Sequence, residues 1–117
     1  MQTNSINKVI IVGYLGGEPE GRYTPNGRAT VSFSVATNES WKKEGEQKQH
    51  TEWHNVVAWD SLADFVQEYL HKGQLVYVEG RLRTRPWTSK EGASMKTTEI
   101  IANQITSLGS KGIKKET

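Results

Sequence analysis

Residues 51 to 87, TEWHNVVAWDSLADFVQEYLHKGQLVYVEGRLRTRPW, read as a strand, a helix and a second strand. Thr51 to Trp59 is a strand by composition, with Trp53, Asn55, Val57 and Trp59 of one parity and Val56 and Ala58 of the other. Successive side chains of a strand point to opposite faces, so the small apolar pair suits the core side. From Ser61 to Tyr69 the period changes: Leu62, Phe65, Val66 and Tyr69 fall at i, i+3, i+4 and i+7, one stripe of a short amphipathic helix. Ser61 with Asp64 approximates a capping box, and Gly73 after Lys72 suits a left-handed stop. Leu75 to Trp87 is then a long strand.

Working outward toward the N-terminus, Asn7 to Leu15 carries the apolar run Val9, Ile10, Ile11 and Val12, which looks buried on both sides, with Gly13 marking a bend or bulge. Glu18 to Tyr23 precedes Pro25, Asn26 and Gly27, and the Asn-Gly pair supplies positive φ for a hairpin. Ala29 to Thr37 alternates, with Val31, Phe33 and Val35 on one face and Thr30, Ser32 and Ser34 on the other, and the strand can extend to Trp41. Lys42 to His50 is charged and lacks an apolar period, which predicts a mobile, solvated loop. Toward the C-terminus, a turn-like Ser89 to Ser94 leads to Met95 to Leu108, an antiparallel partner for Leu75 to Trp87. Five strands with one short α-helix between the third and fourth is the all-β pattern of the five-stranded OB barrel. The expected domain spans 1–108, with 109–117 a short, flexible basic tail.

The chain has 117 residues, the usual size of one domain. It has no cysteine, which excludes thiolate zinc sites, disulfides and cysteine nucleophiles. The polar start and the brief run Val9 to Val12 are too short for a signal peptide or membrane span, so a soluble, cytosolic protein is expected. Net charge is only +2, so a basic surface depends on where the Lys and Arg lie. Four tryptophans are rich for so polar a chain.

Three features carry the chemistry. Period-2 geometry puts Arg81, Arg83, Arg85 and Trp87 on one face, with Gly80, Leu82, Thr84 and Pro86 on the other. Guanidiniums pair with phosphates and lie flat on bases, and an indole offers a face to any base, so the row suits a nucleic-acid single strand. A solvated strand face with Trp87 folded onto a neighbouring loop is the structural alternative. The second feature is the same-parity pair Trp53 and Trp59, which fits base stacking but equally fits an indole roofing the core or filling a subunit interface. The third is Trp41, which precedes Lys42, Lys43, Glu44 and Gly45, a position suited to an aromatic clamp on a flexible arm. A catalytic reading would draw on His50, His54 and His71 with Asp60, Asp64 and Glu68, but these do not form a convincing set. The carboxylates at i, i+4 and i+8 share the outer helix face, where they are usually solvated. No enzyme activity, cofactor or metal is expected.

Over Ile6 to Leu108 the sequence resembles the bacterial and mitochondrial single-stranded DNA-binding proteins. The resemblance rests on Asn7-Lys8-Val9-Ile10 with Val12-Gly13 and Leu15-Gly16, and on Pro19-Glu20, Arg22-Tyr23 and Pro25-Asn26-Gly27. It continues through Thr51-Glu52-Trp53-His54, Val56-Val57 and Glu79-Gly80-Arg81-Leu82-Arg83-Thr84-Arg85. It implies a homotetrameric OB fold that binds single-stranded DNA without sequence specificity during replication, recombination and repair, in the cytoplasm with the nucleoid. Bases would stack on Trp41, Trp53, Trp59 and Trp87, the third position commonly being phenylalanine in the family. Lys8, Arg22, Lys42, Lys43, Lys72, Arg83 and Arg85 fall where the family has basic groups, and Arg81 joins them by its shared strand face. Pro86 occupies a place that is often basic. Subunit contacts are implied for Lys8, Val9, Ile10, Ile11, Val12, His54 and Tyr77. Bacterial members carry a Gly- and Pro-rich linker and an acidic, phenylalanine-ended tip that recruits replication proteins. The sequence here stops at Lys114-Lys115-Glu116-Thr117. Either the form is short or trimmed, or recruitment of replication and repair proteins works differently. The residues themselves leave DNA and RNA undecided.

Overall fold

The computed structural model describes residues 3–110. In chain order the elements are β1 (Val9–Leu15), β2 (Glu20–Tyr23), β3 (Ala29–Lys43), β4 (Glu46–Trp59), α1 (Asp60–Tyr69), β5 (Gln74–Thr88) and β6 (Ser94–Ser110). β3 and β4 pair without a slip from Thr30 opposite Trp59 to Lys43 opposite Glu46, which aligns Val31 with Ala58 and Phe33 with Val56 on the inward face. β5 pairs with β6 and with β1, and β4 meets β6 in parallel only at Val56 with Ile100 and Val57 with Ile101.

Closure comes from β1. It pairs with β5 from Val9 to Tyr14 and with β3 at Tyr14 and Leu15. Gly13 stands where β1 turns toward β3, and a Cβ there would lie 2.2 Å from the Ala36 carbonyl oxygen, so only glycine admits the approach. β1, β3, β4, β5 and β6 therefore form a closed five-stranded barrel of the OB kind, with α1 between the third and fourth of these strands. β2 is an additional short strand on the edge of β3. Inside lie Leu15, Val31, Val35, Val56, Val76 and Val78, each contributing roughly 1.5–3 kcal/mol by leaving water.

Several local expectations are corrected. Lys42 to His50 is not a loop: β3 and β4 run through it as a long hairpin, reversing at Glu44 and Gly45, both with positive φ (51° and 80°). The pattern is that of a two-residue primed turn, whose twist matches the flanking strands. No apolar period marks the segment because both of its faces are exposed. In the β2–β3 turn it is Gly27, not Asn26, that takes positive φ, after Gly27 N–H donates to the Thr24 carbonyl at 2.8 Å. Asp60, not Ser61, opens α1, Trp59 holds the cap position, and no side chain caps it. The helix ends at Leu70, and Gly73 (φ 90°) serves the turn into β5. The buried stripe of the helix is Ala63 and Val66, continued by Leu70, while Leu62 and Phe65 are half-buried and Tyr69 is exposed against Phe65. Small side chains fit where the helix meets the barrel, and the rings pack at its rim. Gly109 and Ser110 pair with Leu75 and Gln74 as part of β6; the rest of the expected tail, 111–117, lies outside the described residues.

Candidate nucleic-acid interface

Strand register assembles one outward surface from five strands. On β3 and β4, Thr30 opposes Trp59, Ser32 opposes Val57, Ser34 opposes Asn55 and Ala36 opposes Trp53. The parallel contact sets Val57 beside Ile101 of β6, and across β6 lie Arg81 with Ile101, Arg83 with Glu99, Arg85 with Thr97 and Trp87 with Met95. On the far side Arg22 of β2 opposes Thr30. The result is a surface on which Thr30, Ser32, Ser34 and Asn55 lie among the β4 indoles, with guanidiniums on both sides, Arg22 on β2 and Arg81, Arg83 and Arg85 on β5. It is concave: a groove of about 410 Å³ is lined by Ser32, Ser34, Asn55, Val57, Arg85 and Glu99. An adjoining one of about 240 Å³ is lined by Arg22, Thr30, Trp59, Arg83, Arg85 and Glu99.

Each indole is held differently. Trp53 is 56% exposed, and its six-membered ring lies against Gly16, where a Cβ would come within 2.3 Å of Cζ3. Trp59 is half-buried, with the Arg28 guanidinium 4.5 Å above its ring centroid. Trp87 is 42% exposed and its Nε1–H donates to Thr97 Oγ1 at 2.8 Å, which fixes the ring on the β5–β6 hairpin. Trp41 is 45% exposed on the β3–β4 hairpin. The unbroken register gives it the parity of Val31, Phe33 and Val35, the face opposite to Trp53.

The charges near the groove are organised in pairs. Arg28 donates to both oxygens of Asp60, Nε to Oδ1 at 3.2 Å and Nη2 to Oδ2 at 2.8 Å. This hydrogen bonding holds the Asp60 carboxyl below, and the guanidinium above, their ordinary values. Arg85 Nε donates to both Glu99 oxygens at 3.3 Å, and Glu99 is only 7% exposed although it lines the grooves. At the far end of β5, Lys8 pairs with Glu79 at 3.5 Å. Tyr77 donates its hydroxyl to Glu79 at 2.8 Å, a bond that raises the phenol's pKa above its usual value. The three histidines lie apart: His50 contacts Glu52, whose carboxyl is lowered by that hydrogen bond, His54 contacts Thr37, and His71 lies 3.4 Å from Glu18.

Residues 6–108 match the model of the Single-strand binding protein family. The chain belongs to that family. Its structure is also similar to that of the Plasmodium falciparum SSB solved in complex with ssDNA, with a TM-score of 0.80 and 36% sequence identity, covering 92% of this chain and 99% of that chain.

The basic positions that the single-strand binding family suggests fall unevenly on this geometry. Arg22, Arg83 and Arg85 line the grooves, and Arg81 continues their row on β5. Lys42 and Lys43 sit beside the hairpin tip on opposite faces, Lys42 with the parity of Trp53's partner Ala36 and Lys43 with that of Trp41. Lys8 is engaged by Glu79, and Lys72 stands in the turn before β5, its backbone N–H donating to Glu18. Of the residues assigned to subunit contacts, Ile10 and Val12 are exposed on β1 and share a face with Glu79 and Tyr77 opposite them. His54 is half-buried against Thr37 on the inward parity. Sequence reasoning missed one groove residue, Glu99, and the Arg28 guanidinium that covers Trp59. Arg28 is held by Asp60, 32 positions away, so only the folded chain reveals it. Glu99 could have been found as an acid facing the arginine row once β6 was paired with β5.

Proposed function

We propose that this protein binds single-stranded DNA by stacking bases on its indoles and pairing phosphates with the arginine row, tolerating any sequence. One observation carries the proposal: Trp59, Arg83 and Arg85, from two different hairpins, line one concave surface with Thr30 and Ser32, and Trp53 continues the strand face of Trp59 on β4. Each base stacked on an aromatic side chain contributes roughly 1–3 kcal/mol, and every base has a π-face, so such a surface binds without reading sequence. Arg22, Arg81, Arg83 and Arg85 supply the phosphate contacts nearest the groove. Trp41, Lys42 and Lys43 reach a strand that passes round the edge of the β3–β4 hairpin, because they occupy both faces of that arm.

The exposed Ile10 and Val12 and the absence of a β-strand beside Val9–Val12 on the edge away from β5, among the described residues, support association of copies through β1. With four such surfaces in a homotetramer, the strand would wrap from one to the next. Protection of single strands during replication, recombination and repair in the cytoplasm is the role that such binding serves. The deciding experiment is a titration with poly(dT), followed by tryptophan fluorescence, with a poly(U) competitor. Strong quenching that poly(U) reverses poorly is the expected result. Unchanged emission at saturating DNA would overturn the proposal, and equal competition by poly(U) would replace DNA with nucleic acid of either kind.

A further inference from the structure

Three unusual features meet at the corner where β4 passes into α1. Asp60 holds a left-handed backbone, φ 58°, a conformation that glycine adopts without strain and few other residues enter. Its carboxylate stands at the start of a helix, yet no side chain caps that helix. It accepts instead two hydrogen bonds from the Arg28 guanidinium, from Nε at 3.2 Å and from Nη2 at 2.8 Å. The backbone of Arg28 is fixed as well: Thr24 N–H donates to the Arg28 carbonyl at 2.9 Å, and Arg28 N–H donates to Thr24 Oγ1 at 3.1 Å. The arginine is thus pinned at both ends, with its guanidinium 4.5 Å from the centroid of the Trp59 ring.

Stability does not explain this arrangement, because both partners are more than half exposed and an ion pair in water contributes little. Charge does not explain it either, since the pair is neutral as a whole and adds little attraction for a phosphate. What distinguishes the pair is its place. Trp59 lines the smaller groove with Arg22, Arg83 and Arg85, and Arg28 stands outside that groove. No hydrogen bond from a described residue fixes the Trp59 indole, whereas Trp87 is fixed by Thr97.

We infer that Arg28, locked by Asp60, is a positioning residue that backs the Trp59 ring and holds it ready for a base entering from the groove. The inference rests on the single-strand reading above. An indole free to change rotamer would have to be ordered each time a base stacked on it. A plane resting against one face restricts the ring in advance, so less of the stacking energy is lost in ordering it. A guanidinium suits this task because it is flat and forks to a carboxylate, and an ammonium does neither.

Because Arg28 acts through Trp59, the test is a double-mutant cycle on the affinity for poly(dT). Arg28→Ala should weaken binding by about three- to tenfold, a part of what one stacked base supplies. In a Trp59→Leu background, which keeps apolar bulk but has no π-face, the same change should have no effect. A loss of equal size in both backgrounds would make Arg28 a direct contact to the strand and overturn the inference, as would an unchanged affinity of the single variant. If Trp59→Leu alone binds as tightly as the wild type, no base uses that ring and the inference also fails, while the single-strand reading stands on the other indoles. A wild-type chain that leaves poly(dT) unbound defeats that reading itself. Asp60→Gly supplies a second measurement, since glycine suits the left-handed backbone and the carboxylate is gone. The NMR order parameter of the Trp59 indole N–H should then fall while those of Trp53 and Trp87 stay, and an unchanged value would show that the lock does not hold the ring.

Discussion

Trp53 and Trp59 are each covered on one side by a different group, and this determines what a base can reach. Gly16 lies against the six-membered ring of Trp53, and the Arg28 guanidinium covers one face of Trp59. Trp53→Ala and Trp87→Ala should each weaken single-strand binding by about 1–3 kcal/mol while leaving the melting temperature nearly unchanged, because both rings are exposed. A melting temperature that collapsed with the ring would assign it to the core instead. Gly16→Val leaves Trp53 in the chain but denies it its seat, and should cost binding comparably. Arg28 also makes a pH prediction. The folded Asp60 carboxyl lies below its unfolded value, so its contribution is present above the unfolded pKa of about 3.9 and is lost as pH falls through the lower folded one. Resonances of Asp60 followed against pH should titrate below those of an ordinary aspartate, and in Arg28→Ala they should return to the ordinary range. The same-face rows Trp53 with Trp59 and Arg81 with Arg83 and Arg85 were legible because a period of two holds wherever the segment is a strand. The Arg28 clamp was not, because it needs a partner 32 residues away.

At the scale of elements, the β3–β4 hairpin shows why polar sequence is a poor guide to loops. Its distal half buries nothing, so the usual hydrophobic alternation is missing, yet its backbone pairs to the last residue before the turn. What specifies it is the turn, where Glu44 takes positive φ at some cost. Glu44→Asn should relieve that strain, stabilising the arm by up to about 1 kcal/mol and raising hydrogen-exchange protection of the amides between Asn38 and Thr51. No change in protection would mean that the arm is not limited by its turn. The helix teaches a related lesson. Its apolar spacing was clear, but which stripe faces inward depended on the barrel mouth, which selects Ala63 and Val66 over Phe65 and Tyr69.

At the scale of the whole molecule, the grooves bring Arg22, Arg83 and Arg85 together with Glu20 and Glu99, so the net charge of +2 says little about the field that a strand meets. Binding should weaken with salt at about 0.7 in log K per unit log salt for each phosphate contact, and Arg83→Ala should make that slope shallower by about one contact. An unchanged slope removes Arg83 from the phosphate track. Sedimentation of the free protein tests association through β1, and there Ile10→Asp and Val12→Asp should shift the species toward the monomer. The five-strand plan was legible from element order. The parallel β4–β6 seam was not, since two residue pairs leave no periodic trace.

That seam has a mechanical meaning. β4 and β6 are joined at Val56 with Ile100 and Val57 with Ile101, and β1 meets β3 at Tyr14 and Leu15, so the barrel resembles a cuff fastened along two short lines. The proposed groove lies directly over the fastening, with Val57 in its floor. A strand lying there would suture the first of these lines, so in a stretched or warmed molecule it should part more readily when the groove is empty than when it is occupied.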